Sequence, residues 1–144
     1  MTLQSIRAFF EVPLITAYAA LTPPVPVFVD NQTITTPDAT TEFVVLSLAF
    51  GLITEPTLTN SLDWHRGSLV VECYSAKGVG PGRGQTLIQT AITTLSAMNA
   101  TQGTATNNVR GSIGPITGPA FFALDGRPHY LTRLSVPVQG RYTA

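Results

Sequence analysis

The chain has 144 residues, enough for one domain with a real core and too few for two ordinary ones. Apolar residues make up 44% and charged residues 11%, so the chain is no disordered tail, yet its surface carries few charges to hold copies of itself apart. The zero net charge excludes a nucleic-acid module that works by bulk basicity, and the single cysteine, Cys73, excludes an intrachain disulfide and a cysteine-built metal site.

Residues 2–21 read as an amphipathic helix, with Leu3, Ile6, Phe10, Leu14, Tyr18 and Leu21 on one face and Thr2 or Ser5 as its cap. Pro13 has no N–H for the Phe9 carbonyl, which predicts a kink or break. Arg7 before an apolar stretch and Ala17-Tyr-Ala19 imitate a secretion signal, but Glu11 and Pro13 interrupt the apolar segment. Thr22-Pro-Pro24 stops the helix, residues 25–29 form a short extended piece, and residues 30–41 form a polar loop.

Residues 42–53 are the clearest strand. Val44, Leu46, Leu48, Phe50 and Leu52 share a face that must be buried. The small residues Ser47, Ala49 and Gly51 on the other face predict a closely packed neighbour. This is also the longest apolar run, and it falls short of the ~18 residues of a membrane span. A long connection over residues 54–65 carries Pro56, Asn60, Asp63 and the only tryptophan, Trp64.

Residues 66–76 read as a strand with Leu69, Val71 and Cys73 on one side and Val70, Glu72 and Tyr74 on the other. Both sides are partly apolar, as in a strand flanked by neighbours. Cys73, mid-strand between Glu72 and Tyr74, reads as a small buried hydrophobe rather than a reactive thiol. A glycine-rich turn over residues 77–84 leads into a second helix, striped by Leu87, Ile88, Ala91, Ile92, Leu95 and Met98. Its opposite side, with Gln85, Gln89, Thr93 and Ser96, is uncharged, which suits a face turned to a neighbouring subunit. After a polar turn over residues 99–106, residues 107–113 form a strand with Val109 and Ile113 inward and Arg110 and Ser112 outward. Residues 114–127 read as a loop with Pro115, Gly118, Pro119 and the pair Phe121 and Phe122, read as a contact for another protein. Residues 129–138 form the last strand, with Leu134, Val136 and Val138 on one face and Pro137 marking an edge or strand end. The fold class is α+β: a single domain over residues 1–144, with a mixed or antiparallel sheet and two helices packed on it.

The strand, glycine-rich turn and helix invite a phosphate-binding reading, but the spacing does not fit. A P-loop places Lys after its second glycine, and here Arg83 and Gln85 stand at the decisive positions after Gly78 and Gly80. The dinucleotide fingerprint fails at the same residues. His65 and His129, the only histidines, do not make a zinc site, no Gly-x-Ser-x-Gly elbow presents a nucleophile, and the acids are scattered. No catalytic residue, cofactor or metal is assigned, and the chain is read as a non-enzyme.

The order and texture of the chain resemble the small tail-terminator-like, or tail-completion, proteins of long-tailed bacteriophages. The resemblance rests on the Ile6-Arg-Ala-Phe-Phe-Glu11 helix ending in Leu21-Thr-Pro-Pro24, and on Phe43-Val-Val-Leu-Ser-Leu48 and Glu55-Pro-Thr-Leu58. It continues through Arg66-Gly-Ser-Leu-Val-Val-Glu-Cys-Tyr74 with its glycine-rich turn, then Ile113-Gly-Pro-Ile116 and Tyr130-Leu-Thr-Arg-Leu-Ser-Val-Pro-Val138. It spans nearly the whole chain and departs at Asp125-Gly-Arg-Pro128, where the family often has a glycine–aromatic pair. The resemblance implies a virion protein that forms a ring, usually of six copies, capping the tail tube and joining tail to head. Its implied partners are copies of itself, a tail tube protein and a head–tail connector protein, with genomic DNA passing through without sequence-specific contacts and no membrane involved. Another head–tail connector or tail-tube subunit is the alternative within that class; a small enzyme or ligand-binding domain is the alternative outside it.

Charge placement adds a candidate for how copies meet. Up to His65 the chain holds one base and six acids, a net of −5; from Arg66 onward it holds seven bases and two acids, a net of +5. In a ring each acidic edge would meet the next copy's basic edge. The candidate assembly contacts are therefore Glu42, Glu55 and Asp63 against Arg110, Arg127 and Arg133, with the aromatics Trp64, Phe121 and Phe122.

Overall fold

The computed structural model describes residues 3–22, 24–30, 42–54, 64–76, 81–100, 109–123 and 129–142. The elements in chain order are α1 (Leu3–Ala19), β1 (Val27–Phe28), β2 (Phe43–Thr54), β3 (Trp64–Ala76), α2 (Gly82–Ala100), β4 (Val109–Ile113), β5 (Thr117–Ala123) and β6 (His129–Tyr142). The strands form one mixed sheet in the order β1-β2-β3-β6-β4, with β5 also on β6. Only β1 runs parallel to its neighbour; every other pairing is antiparallel. This is the α+β domain expected.

The two apolar periodicities meet on one side of the sheet. Val44, Leu46 and Leu48 of β2, Leu69, Val71 and Cys73 of β3, and Leu134, Val136 and Val138 of β6 form a continuous core with the helices. Against them lie Ile6, Phe10, Leu14 and Tyr18 of α1 and Leu87, Ile88, Ala91, Leu95 and Met98 of α2. Helix α1 runs through Pro13 without the expected break. An interior proline costs about 3 kcal/mol, while each fully buried large side chain contributes about 1.5–3 kcal/mol. Ile6, Phe10, Leu14 and Tyr18, all at 0% exposure, therefore outweigh it, and Pro13 itself lies exposed on the outer side.

Several expectations change at the sheet. The register of β2 against β3 shifts between Phe50 and Leu52, which interrupts the strict alternation expected along this strand. Gly51 supplies the extra residue, and a Cβ there would meet nothing within 4 Å, whereas one on Gly67 would collide with the Ala49 carbonyl. The close neighbour predicted over Ser47, Ala49 and Gly51 is not there among the described residues: Ala49 and Gly51 are exposed. Trp64 and His65, expected in a connection, begin β3 and pair with β2. Ser112 faces outward as expected, yet it is buried there and accepts a hydrogen bond from Gln139 Nε2 at 3.0 Å.

The segment expected as a loop over residues 114–127 contains β5, so Phe121 and Phe122 stand on a strand paired with Thr132 and Leu131. The turn signals Gly118 and Pro119 are absorbed in a register shift, where Gly118 takes a φ of 112°, a backbone region that a glycine enters freely. Strands β4 and β5 lie in succession along the same side of β6. Pro137 therefore sits inside a long strand rather than at its end. Its carbonyl accepts the Gly114 N–H at 2.8 Å, between the two paired stretches, so its missing N–H faces the gap in the ladder.

Candidate assembly surfaces

The outer side of the helical layer has an unusual chemistry. From Gln85 to Met98, α2 carries no charged residue, and its exposed positions are Gln85, Thr86, Gln89, Thr93, Ser96 and Ala97. Helix α1 exposes Val12 at 54% and Ile15 at 39%. Between the helices lies a groove of about 790 Å³, lined mainly by Ala8, Phe9, Val12, Pro13, Thr93 and Met98. Pro13 cannot donate to the Phe9 carbonyl, so both residues of that broken hydrogen bond border the groove.

Beneath the helices the polar groups are closed off. The Tyr18 hydroxyl donates to the Leu87 carbonyl at 2.7 Å and lies 3.4 Å from Cys73 Sγ. Burial pushes the Cys73 thiol up to about 12 and raises the Tyr18 phenol well above its ordinary value. A thiol so held stays protonated, which removes it as a nucleophile.

The edge of β2 beyond β1 is sealed by side chains. Leu48 N–H donates to Asp30 Oδ2 at 3.0 Å, and Arg7 Nη2 donates to the Leu48 carbonyl at 3.0 Å. Arg7 Nη1 also donates to Asp30 at 3.0 Å and to Glu11 at 2.8 Å. Burial raises the Glu11 carboxyl above its ordinary value despite the Arg7 charge beside it. For Arg7, burial pulls the other way, and the bonds to Asp30 and Glu11 more than offset it. One arginine and one aspartate thus stand where a neighbouring strand's backbone would be, which blunts that part of the edge.

The sheet face away from the helices carries the remaining candidate residues. At one end, Phe43 stacks on Tyr74 with centroids 4.5 Å apart, and Phe28 and His129 meet Phe43 edge-on. At the other end, Arg141 lies over the Trp64 ring at 5.1 Å. Trp64 is thus already engaged within its own chain. Glu42 is engaged too: Arg83 Nε–H donates to both of its carboxylate oxygens, at 2.8 and 2.9 Å. The fold brings Arg83, 41 positions along the chain, beside the carboxylate that was expected to meet a neighbouring copy.

Among the other candidates, Arg133 is exposed and stands opposite Glu72 in the β3–β6 register. Arg110 pairs in register with Arg141. Phe121 is 39% exposed and stacks on Tyr130 at 6.3 Å, while Phe122 pairs in register with Leu131. Glu55, Asp63 and Arg127 lie outside the described residues. The structure does not gather the described candidates into one place: these fall at the two ends of one sheet face and on the β5 edge. Sequence reasoning passed over Val12, Ile15 and Arg66. The signal for the first two was an apolar residue out of phase with the helix stripe.

Among the described residues no three His, Cys, Asp or Glu side chains are grouped to hold a metal ion, and no helix is long and apolar enough to cross a membrane. No protein-family model and no curated protein matches the chain. Twenty-seven chains of solved structures do match. One of these, a protein whose designation carries no function, aligns over 100% of this chain and 99% of its own, with a TM-score of 0.64 and 18% identity. A likeness at that identity extends to the fold and no further.

Proposed function

We propose that this chain is a structural subunit that closes into a ring with copies of itself, capping a bacteriophage tail tube at its head-proximal end. The observation that carries the reading is the uncharged outer side of α2 from Gln85 to Met98, with exposed Val12 and Ile15 of α1 beside an apolar groove. A lone subunit leaves that surface in water, and an assembled one covers it. The likeness in layout to tail-completion proteins supports the same reading. Its other elements are a tail tube protein below the ring, a connector protein above it, and location in the virion after assembly in the host cytoplasm. The alternative within that class is a connector or tail-tube subunit.

The test is mass photometry and negative-stain microscopy of the purified chain, then of its mixture with isolated tail tubes. Rings that bind tube ends support the reading; a monomer at all concentrations that ignores tubes sinks it. One observation favours a second reading. The groove of about 790 Å³ is of the size that admits a small apolar ligand, commonly about 300–1,000 Å³. A monomer that binds an apolar dye, and loses it in Val12→Asp, would point to a ligand-binding domain instead.

A further inference from the structure

A ring requires a site on each copy that receives the next, and the expected contacts do not include Arg66. The bare sheet face contains a hollow suited to that task. Arg66 on β3 is exposed and stands opposite Gln139 on β6. Beside it lies a hollow of about 250 Å³ whose described lining sets the polar Arg66, Ser112 and Gln139 among Gly67, Gly114, Pro137 and the apolar Ile113 and Val138. Gly67 and Gly114 bring no side chain into it. Ser112 accepts from Gln139 Nε2, so its own hydroxyl proton is left to donate. A guanidinium, a hydroxyl and the second N–H of the amide are therefore donors at one place, with no acid among the described residues of the lining.

Charge bookkeeping indicates what fills it. The described acids are engaged within the chain: Glu11 and Asp30 by Arg7, Glu42 by Arg83, and Glu72 by the Tyr74 hydroxyl, which donates to it. Arg66 has no ion-pair partner among the described residues, and its half of the chain carries a surplus of +5. A nucleic-acid backbone fits this face poorly. Arg141 is folded over Trp64, Glu72 lies on the same face, and the hollow admits little more than one side chain. A carboxylate fits well, since arginine grips it through two parallel hydrogen bonds.

We propose that this hollow is a carboxylate socket in which Arg66, with Ser112 and Gln139, holds an acidic side chain of a second copy of the chain. The proposal rests on the ring reading and gives it a specific contact. The donor of the carboxylate is one of the acids outside the described residues: Asp38, Glu55, Asp63 or Asp125.

The experiment is assembly in trans. Arg66→Glu, checked for native circular dichroism and an unchanged melting temperature, is expected to need about tenfold or more higher concentration to assemble at low salt. It is then mixed with Asp38→Arg, Glu55→Arg, Asp63→Arg or Asp125→Arg copies, each defective alone if it removes the socket's partner. One of these mixtures is expected to assemble, because reversed charges meet across the contact between unlike copies. If rescue occurs only when both changes are in the same chain, the pairing is internal and the proposal is overturned. Folded Arg66→Glu that assembles like the parent overturns it too, with the ring reading intact. A parent that stays monomeric overturns both. If Arg66→Glu misfolds, Arg66→Gln keeps the test: it is expected to weaken assembly and abolish its salt dependence, and unchanged salt dependence overturns the proposal.

Discussion

Neighbouring residues on the same strands live in opposite circumstances on the two faces of the sheet. Leu46, Leu69, Val71 and Val136 are fully buried under the helices, while Ser47, Val70 and Ser135, one position away, remain half exposed behind them. One face is closed by two helices, and the other is covered by no helix of the described chain. The difference assigns stability to one set of alternate residues and leaves the other set available for contacts. A substitution among the sheet residues beneath the helices tests whether the chain folds; one on the bare face of the sheet tests whether folded chains recognise one another.

The largest effect that sharpens this contrast is Leu69→Ala, expected to cost about 2–5 kcal/mol in urea unfolding because it opens a cavity under the helices. A cost below about 1 kcal/mol would mean that the helices do not close that face. Next comes Gly67→Ala, whose Cβ has no room against the Ala49 carbonyl and is expected to cost about 1–3 kcal/mol. Gly51→Ala across the same irregularity meets open space and is expected to stay within about 0.5 kcal/mol. Thermal melts of the two variants compare the register shift with its surroundings directly.

A pH titration reads the buried side alone. The Cys73 thiol is raised from its ordinary value of 9.0 to about 12 in the fold. The unfolded chain therefore loses that proton first. Stability from this group is present in full below about 9 and falls as pH rises toward about 12. Urea midpoints measured across that range should decline, and Cys73→Ala should decline less steeply. Equal slopes would show that the thiol is not sequestered.

Smaller still is Arg83→Ala, which breaks a half-exposed pair with Glu42 and is expected to cost less than about 1 kcal/mol, less again at high salt. The smallest is Ser68→Ala, next to Leu69 on the bare face, expected within about 0.5 kcal/mol of the parent. If it destabilised as Leu69→Ala does, the contrast between the faces would be wrong.

Much of the buried side was legible from the chain alone. The three- and four-residue spacing of Ile6, Phe10, Leu14 and Tyr18, and of Leu87, Ala91 and Leu95, named the inward faces of both helices. The alternation of Val44, Leu46 and Leu48, and of Leu134, Val136 and Val138, named the inward faces of two strands. These patterns survive because burial acts on every residue of a face at once, so the period itself carries the signal. The candidate surfaces were far less legible. Strand β5 was hidden by Gly118 and Pro119, whose turn chemistry is real but is absorbed in a register shift that only pairing with β6 stabilises. The Glu42–Arg83 pair, the Arg141–Trp64 stack and the Asp30–Arg7 seal on Leu48 join residues far apart in the chain, and each gives a side chain a partner within its own subunit. The sequence by itself determined which faces avoid water, since that depends on residue type and local period. Which charges remain free, and where Arg66 stands, was decided only by the tertiary structure, because an ion pair requires its two groups within about 4 Å and no local pattern records that distance.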